Sequence, residues 1–208
     1  MDSELDQLLS AIRACRICLE APHRGPLPHE PRPVVQASGT ARLLIVGQAP
    51  GTKVHASGRP FTDASGDRLR EWLGLGPDVF YDPARVAIVP MGFCFPGQDA
   101  KGSDLPPRRE CAERWRAPLL AALPEPRLTV ALGLYALKWH LAQLGRADLL
   151  GRTLDATVAD WRRIQGETGI MPLPHPSWRN TGWLKRNPWF TEDLLPVLRS
   201  EVARALEP

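Results

Sequence analysis

Short apolar runs that alternate with helix-like stretches limit the fold of this chain more than any other feature. The runs lie at residues 42–47, 86–89, 128–132 and 169–173. Apolar residues recur at helical spacing at about 64–73, 108–123, 134–145 and 189–206. Strands that alternate with helices favour a parallel sheet covered by helices on both faces. The sequence therefore predicts an α/β fold, a three-layer α/β/α sandwich around a central four-stranded parallel sheet.

The remaining segments are predicted from their apolar spacing and their proline content. Residues 3–18 have leucine and isoleucine at helical spacing and predict an amphipathic N-terminal helix. Residues 22–40 are rich in proline and lack periodicity, which favours an extended connector along the surface. Residues 48–62 and 95–107 are predicted loops, and 146–167 allow either a short helix or an exposed strand.

Length and composition bound the class of protein. With 208 residues, 43% of them apolar, the chain suits one domain, and we take 1–208 as a single domain. No apolar run approaches the roughly 18 residues of a membrane span. The N-terminus is acidic and lacks the basic-then-apolar pattern of a secretory signal, so a cytoplasmic location is expected. A net charge of +3 is only weak evidence for a nucleic-acid partner.

Four cysteines, two of them in a C-x2-C pair, are candidate metal ligands. They are Cys15, Cys18, Cys94 and Cys111. Free cysteines in a reducing compartment are often small buried apolar residues, and a disulfide framework is not expected there. All four lie in predicted loops or near predicted element ends, however, which favours a site with four thiolate ligands. Zinc and a [4Fe-4S] cluster both suit four thiolates, and either would tie the N-terminal helix to the central loop.

Two predicted loops follow strands and carry residues suited to ligand binding. Gly47-Gln48-Ala49-Pro50-Gly51 ends the first apolar run, and its glycines let backbone N–H groups approach a ligand. An ordinary strand-to-helix connection has the same form. The second loop contains His175-Pro176-Ser177, where a neutral imidazole on stiff backbone could donate a hydrogen bond to a developing oxyanion. Loops at the carboxyl ends of parallel strands face a common crevice, where open α/β sheets bind ligands.

Basic and polar residues are interleaved with tryptophans in and behind the second loop. The candidate DNA contacts are Ser177, Arg179, Asn180, Lys185 and Arg186. Cations mixed with aromatic rings are typical of a loop that grips DNA. A solvated basic loop whose tryptophans, Trp189 above all, pack against the core would have the same composition.

Together and in this order, the motifs resemble the uracil-DNA glycosylase superfamily, most closely its iron–sulfur (family 4-like) bacterial and archaeal branches. Those branches combine an early C-x2-C, a GEAPG-type loop, a G-x-PF segment, two later cysteines and a C-terminal HPS. The corresponding stretches here are Cys15 and Cys18, 47–51, 58–61, Cys94 and Cys111, and 175–177. The resemblance extends over nearly the whole chain, from Cys15 to about Trp189.

The resemblance implies a role for each matched residue. The residues implied to bind the base are Gly47, Gln48, Ala49, Phe61 and His175. Phe61 would stack on the extruded base, main-chain amides around Gln48 would meet it, and His175 would stabilise the departing uracil anion at O2. Ser177 and the basic stretch behind it would hold the DNA backbone. The four cysteines would ligate a [4Fe-4S] cluster.

The sequence departs from the family pattern in three places. No asparagine precedes Cys94 at 90–93, where many relatives carry one that reads the uracil edge. Gln48 replaces the glutamate of the GEAPG-type loop, and Ala49 lies where the best-known uracil enzymes carry a water-activating aspartate. Asp63 is the nearest carboxylate, although aspartate at that position also suits a helix N-cap. The candidate catalytic residues are His175, Gln48, Asp63 and His55.

The resemblance implies a DNA-repair glycosylase that flips uracil out of DNA, hydrolyses its N-glycosidic bond and leaves an abasic site. A non-catalytic protein that binds DNA or a damaged base on the same fold is the alternative, favoured by the missing asparagine and aspartate. A third possibility is a general α/β hydrolase or nucleotide-binding module with a zinc site. We expect DNA as the partner, no membrane association and a monomeric protein.

Overall fold

The structure, a computed structural model, describes residues 3–207. The strands of its sheet are β1 Leu43–Val46, β2 Val86–Ile88, β3 Leu128–Leu132 and β4 Ile170–Leu173. They are parallel and lie in the order β2-β1-β3-β4, with Leu43 opposite both Val86 and Leu128. Helices pack against both faces, so the predicted three-layer α/β/α sandwich with four parallel strands is confirmed.

Helices alternate with the strands. Within the described residues they are α1 Glu4–Arg13, α2 Ile17–Glu20, α3 Thr52–Ser57, α4 Ala64–Leu73, α5 Pro77–Phe80, α6 Arg109–Ala122, α7 Leu134–Gln143, α8 Leu154–Ala159, α9 Trp161–Thr168, α10 Thr181–Arg186 and α11 Leu195–Ala205. Short 3₁₀ turns lie at Ala147–Leu149 and Trp178–Asn180, and a π-helical turn at Phe190–Leu194 runs directly into α11. Between residues 3 and 207, no helix has the length and apolar character needed to cross a bilayer.

Alternate residues of each strand point to opposite faces of the sheet and fill two separate cores. On one face, Ile45 packs in a cluster with Leu69 of α4 and with side chains of α11. On the other face, Leu44 packs in a cluster with Ile12 of α1 and with side chains of α6 and α7. Because both faces are covered, every strand residue is apolar or small, which is why the strands appear in the sequence as continuous runs.

Several segments differ from their predicted form. The N-terminal helix α1 ends at Arg13 instead of continuing to 18, and a separate turn, α2, begins at Ile17. The predicted loop 48–62 contains α3, whereas 146–167, where the sequence allows a short helix or an exposed strand, contains α8 and most of α9, in agreement with the helical alternative. These helices have six to eight residues, which is too short for a clear helical period in the sequence.

The proline-rich connector 22–40 runs along the surface, as predicted, and covers the edge of the sheet. Gln36 forms an antiparallel bridge with Ile88 of β2, and Val34 N donates to Phe93 O at 2.7 Å. Pairing of this kind satisfies backbone groups that an edge strand would otherwise expose.

Arg116 of α6 is fully buried and fixes the segment that follows β2. Its Nη1 donates to the carbonyl oxygens of Val89 and Pro90 at 3.2 and 2.8 Å, and its Nη2 lies 2.8 Å from Nε2 of His140. Burial lowers the pKa of His140 to about 3, so this imidazole is neutral and accepts the bond. The arginine thereby holds Pro90 in the wall of the cleft described next.

Candidate active site

A cleft opens at the carboxyl ends of the parallel strands, the predicted place in an open α/β sheet. It encloses about 580 Å³, and its walls come from the segments that follow β1, β2 and β4. Residues 47–51, Phe61 and His175 all line it. Segments more than a hundred residues apart in the sequence therefore share one site.

Phe61 lines the cleft in a strained backbone conformation. Its φ is 52°, in the left-handed region that non-glycine residues rarely adopt. Its carbonyl oxygen accepts hydrogen bonds from Tyr81 Oη at 2.8 Å and Arg70 Nη1 at 3.3 Å. The ring lies against Gly47, where a Cβ would stand 3.5 Å from Cζ, and its centroid lies 6.1 Å from that of Phe80. Such strain persists where surrounding contacts hold it, and it is concentrated at functional sites.

His175 enters the same cleft from the end of β4. Its carbonyl oxygen accepts from Asn180 Nδ2 at 2.7 Å, which closes the loop behind it. Burial lowers the pKa of His175, and the carboxylates of Asp63 and Asp104 offset this effect in part. The imidazole is therefore neutral at neutral pH, and one of its nitrogens carries a proton that can be donated to an oxyanion.

The loop after β1 is held by backbone pairing with the segment after β2. Met91 N donates to Gly47 O at 2.9 Å, and Gly92 N donates to Gln48 O at 3.0 Å. Gln48 and Ala49 are half-buried and line the cleft. The predicted base-binding loop is therefore fixed in place through its carbonyl groups.

Among the described residues that line the cleft, the acidic ones are Asp63 and Asp104. Asp63 is the N-cap of α4, and its Oδ1 accepts from Gly66 N at 3.2 Å. The N-cap interpretation of Asp63 is therefore confirmed, and because the residue also lines the cleft, its catalytic role stays a prediction. Asp104 is a residue that sequence reasoning missed, since it lies in the predicted loop 95–107 without a recognisable motif.

The structure places His55 outside the cleft. Its ring packs against the rings of His29 and Phe95, with centroids 4.2 and 5.9 Å away. The predicted loop here is the helix α3, in which successive side chains point in different directions. Lys53 and Val54, but not His55, line the cleft, so a catalytic role for His55 is not supported.

The rim of the cleft carries most of the predicted DNA contacts. The predicted contacts there are Ser177, Arg179 and Asn180, and Trp178 lies among them. Trp178 is 71% exposed, whereas Trp183 is buried and Trp189 is half-buried against the core, as predicted. Lys185 and Arg186 are exposed on α10 and are not among the residues that line the cleft.

All four cysteines line one small cavity, together with apolar side chains of α1 and of the segment after β2. The break between α1 and α2 brings the C-x2-C pair there. Trp115 Nε1 donates to Cys15 Sγ at 3.1 Å, and Phe93 N donates to Cys111 Sγ at 3.3 Å. Hydrogen bonds to sulfur of this kind typically support thiolate ligands.

The buried cysteines of this cavity are poor nucleophiles as free thiols. Burial raises the pKa of Cys18 to about 11 and that of Cys94 to about 12, so both stay protonated at neutral pH. Across residues 3–207, no three His, Cys, Asp or Glu side chains are grouped so that they could hold a metal ion.

The region that contains the cleft also matches a known protein family. A model of the uracil DNA glycosylase superfamily matches residues 35–199, which include every strand of the sheet, Phe61 and His175. The chain belongs to the uracil DNA glycosylase superfamily. Members of this superfamily act on DNA and generally hydrolyse N-glycosidic bonds. The match begins after Cys15 and Cys18, so it does not assign the chain to the iron–sulfur branch of the superfamily.

Proposed function

We propose that this protein is a DNA glycosylase that excises uracil, a deaminated base, and leaves an abasic site. The observation that carries the proposal is the meeting of Phe61 and His175 in one cleft. An aromatic ring and a neutral imidazole are the groups that a flipped pyrimidine needs, one for its face and one for its carbonyl oxygen. Phe61 and His175 both lie within the region that the superfamily model matches.

The proposed reaction begins when a deoxyuridine leaves the duplex and its base stacks on Phe61. The C–N bond stretches first, so negative charge develops on uracil while positive charge develops on the sugar. His175 donates its proton to a hydrogen bond at O2, and main-chain amides around Gln48 meet the base. These donors are fixed before the reaction, and they therefore stabilise the anion without reorganising.

Incubation with oligonucleotides tests this function. The protein is incubated with single- and double-stranded DNA that contains one uracil, and with matched strands that contain xanthine or a thymine mismatch. Alkali is then added to cut the strands at abasic sites. We expect cleavage at uracil that depends on the protein. Intact strands with every substrate, at protein concentrations that bind the DNA, would favour the alternative of a non-catalytic binding protein.

The alternative of a non-catalytic binding protein is supported by two missing side chains, the base-reading asparagine and the water-activating aspartate that relatives carry. The segment 90–93 is buried and has no asparagine, and Ala49 has no carboxylate. A gel shift with uracil-containing DNA, compared with undamaged DNA of the same sequence, separates selective binding from catalysis.

Trp178 at the rim is expected to contribute to DNA binding. Its ring is 71% exposed, and stacking of a base on an aromatic ring contributes about 1–3 kcal/mol. Replacing Trp178 by alanine should weaken binding about tenfold, while replacement by phenylalanine should retain most of the affinity. Fluorescence anisotropy at one fixed salt concentration measures both, because the salt sets the phosphate contribution. Equal affinity of all three proteins would remove Trp178 from the interface.

We further propose that the four cysteines hold a [4Fe-4S] cluster, with zinc as the alternative. Four thiols around one apolar cavity, two of them accepting hydrogen bonds, suit an iron–sulfur centre. A single zinc ion would need its sulfurs within about 4 Å of one another, since each Zn–S bond is about 2.3 Å. A cluster is larger than a single ion and accepts sulfurs that lie farther apart. Its role would be structural, joining the N-terminal segment to the segment after β2.

Replacing Cys94 by serine is expected to abolish the visible absorbance and the iron content of the purified protein. It should also lower the melting temperature, because a bound metal centre contributes directly to folding. Iron, zinc and acid-labile sulfide are measured per chain in the wild-type protein and in the variant. A colourless wild-type protein with one zinc would establish the alternative, and one with no metal would refute both.

A further inference from the structure

Hydrolysis of the glycosidic bond, as proposed above, requires a group that the β1 loop lacks. The sugar gains positive charge as uracil leaves, and a water must be directed at C1′. A carboxylate serves both needs, because it is anionic and can accept a proton from water. Ala49 has no such group, so the carboxylate must come from another segment that faces the cleft.

One carboxylate oxygen of Asp63 already accepts a hydrogen bond as the N-cap of α4. Its side chain caps α4 through Gly66 N, and its backbone begins that helix. A carboxylate that holds a helix terminus is kept there by the positive end of the helix dipole and by the bond to Gly66. Asp63 therefore shapes the cleft through α4 and is the weaker candidate for contact with a water.

Asp104 reaches the cleft from a short hairpin-like turn after β2. Asp99 N donates to Ser103 O and Leu105 N donates to Gly97 O, both at 2.9 Å, which fixes the two sides of the turn. Gln98 bridges to Asp104, and its Nε2 donates to one carboxylate oxygen, Oδ1, at 3.1 Å. The carboxylate is thereby oriented by a neighbour on its own turn.

The second oxygen of Asp104 lies beside the β1 loop. A Cβ on Gly51 would stand only 3.3 Å from Oδ2, so the missing side chain of that glycine makes room for the carboxylate. Gly51 is two residues after Ala49, and Asp104, like Asp63, is near enough to His175 for its charge to act on the imidazole. The second oxygen therefore lies beside the base-binding loop, in the wall of the cleft that His175 also lines.

We propose that Asp104 is a catalytic residue of the glycosylase reaction, supplying from the segment after β2 the carboxylate that Ala49 cannot. In the step, the electron pair of the C1′–N1 bond leaves with uracil as that bond breaks. The oxygen of a water forms the new bond to C1′, and one proton of that water passes to the carboxylate of Asp104. The proton is then released to solvent, and the charge on uracil is neutralised by solvent after release.

The test compares Asp104→Asn with Asp99→Asn. Asp99 is on the same turn, loses the same charge and is not among the residues lining the cleft, and asparagine keeps its acceptor oxygen for the turn. Single-turnover excision of uracil should fall about 10²-fold in Asp104→Asn, the low end of the range for a proton-accepting group. It should stay within about twofold in Asp99→Asn. Affinity for DNA with an abasic site should be unchanged or tighter in Asp104→Asn, because a carboxylate near phosphates repels them.

A fall in the excision rate without a fall in DNA affinity separates a catalytic role of Asp104 from a structural one. If Asp104→Asn excises uracil as fast as the wild type, Asp104 is not catalytic, and the proposed function still holds. If rate and DNA affinity fall together, or Asp99→Asn slows equally, the turn has only a structural role and the assignment is overturned. If the wild-type protein excises no uracil, the proposed function fails and the assignment of Asp104 falls with it.

Discussion

Replacing His175 by alanine is expected to lower the rate of uracil excision by about 10²–10³-fold. Removal of one oxyanion donor from a preorganised site has an effect of that size. The backbone at His175 is fixed by the hydrogen bond that Asn180 Nδ2 donates to its carbonyl oxygen. Burial lowers its pKa, so the neutral donor form predominates down to mildly acidic pH.

Single-turnover excision and binding to abasic DNA, measured together, check the role of His175. The rate should fall while the affinity changes little, because the oxyanion is present only as the bond breaks. His23→Ala is the matched control. His23 lies on the connector 22–40, where its side chain is half-exposed and 3.6 Å from Glu113 of α6. Wild-type rates in His175→Ala would contradict the catalytic assignment, and equal losses in both variants would indicate a general effect on the fold.

The sheet and the cleft were predictable from the sequence because each depends on a local pattern. Strands covered on both faces are uninterrupted apolar runs, and such runs at 43–46 and 170–173 end in the loops that form the site. Parallel strands place those loops at one edge of the sheet. Phe61 and His175 lie in the segments that follow β1 and β4, so the parallel topology is enough to predict that both reach the same cleft.

Other parts of the site depend on tertiary contacts that leave no local pattern. Asp104 reaches the cleft because Gln98 and Gly51 orient it and give it room, and neither residue marks it in the sequence. The sequence predicts a loop at His55, but the residue lies in α3 and its ring packs against that of His29. The strained φ of Phe61 is likewise fixed by Tyr81, a residue that carries no motif.

Replacing Gly66 by alanine is expected to remove most excision activity and to lower the free energy of unfolding by about 3 kcal/mol, the upper end for an overpacked site. A Cβ on Gly66 would stand 1.8 Å from the carbonyl oxygen of Phe61 and 2.6 Å from its carbonyl carbon. The oxygen cannot move freely, because Tyr81 and Arg70 both donate to it. Either the start of α4 or the turn at Phe61 must shift, and both changes displace the ring on which the base is proposed to stack.

Gly166→Ala is the matched control, because Gly166 lies within α9 and a Cβ there would meet nothing within 4 Å. Replacing Gly166 by alanine should stabilise the protein by up to about 1 kcal/mol, since alanine favours a helix more than glycine does. Chemical denaturation gives both free energies, and excision assays at a temperature where both variants are folded give the activities. A stabilised, fully active Gly66→Ala protein would show that the close contact between α4 and Phe61 does not shape the cleft. Loss of activity in a folded Gly66→Ala protein, beside an active Gly166→Ala protein, would show that excision depends on the position of Phe61.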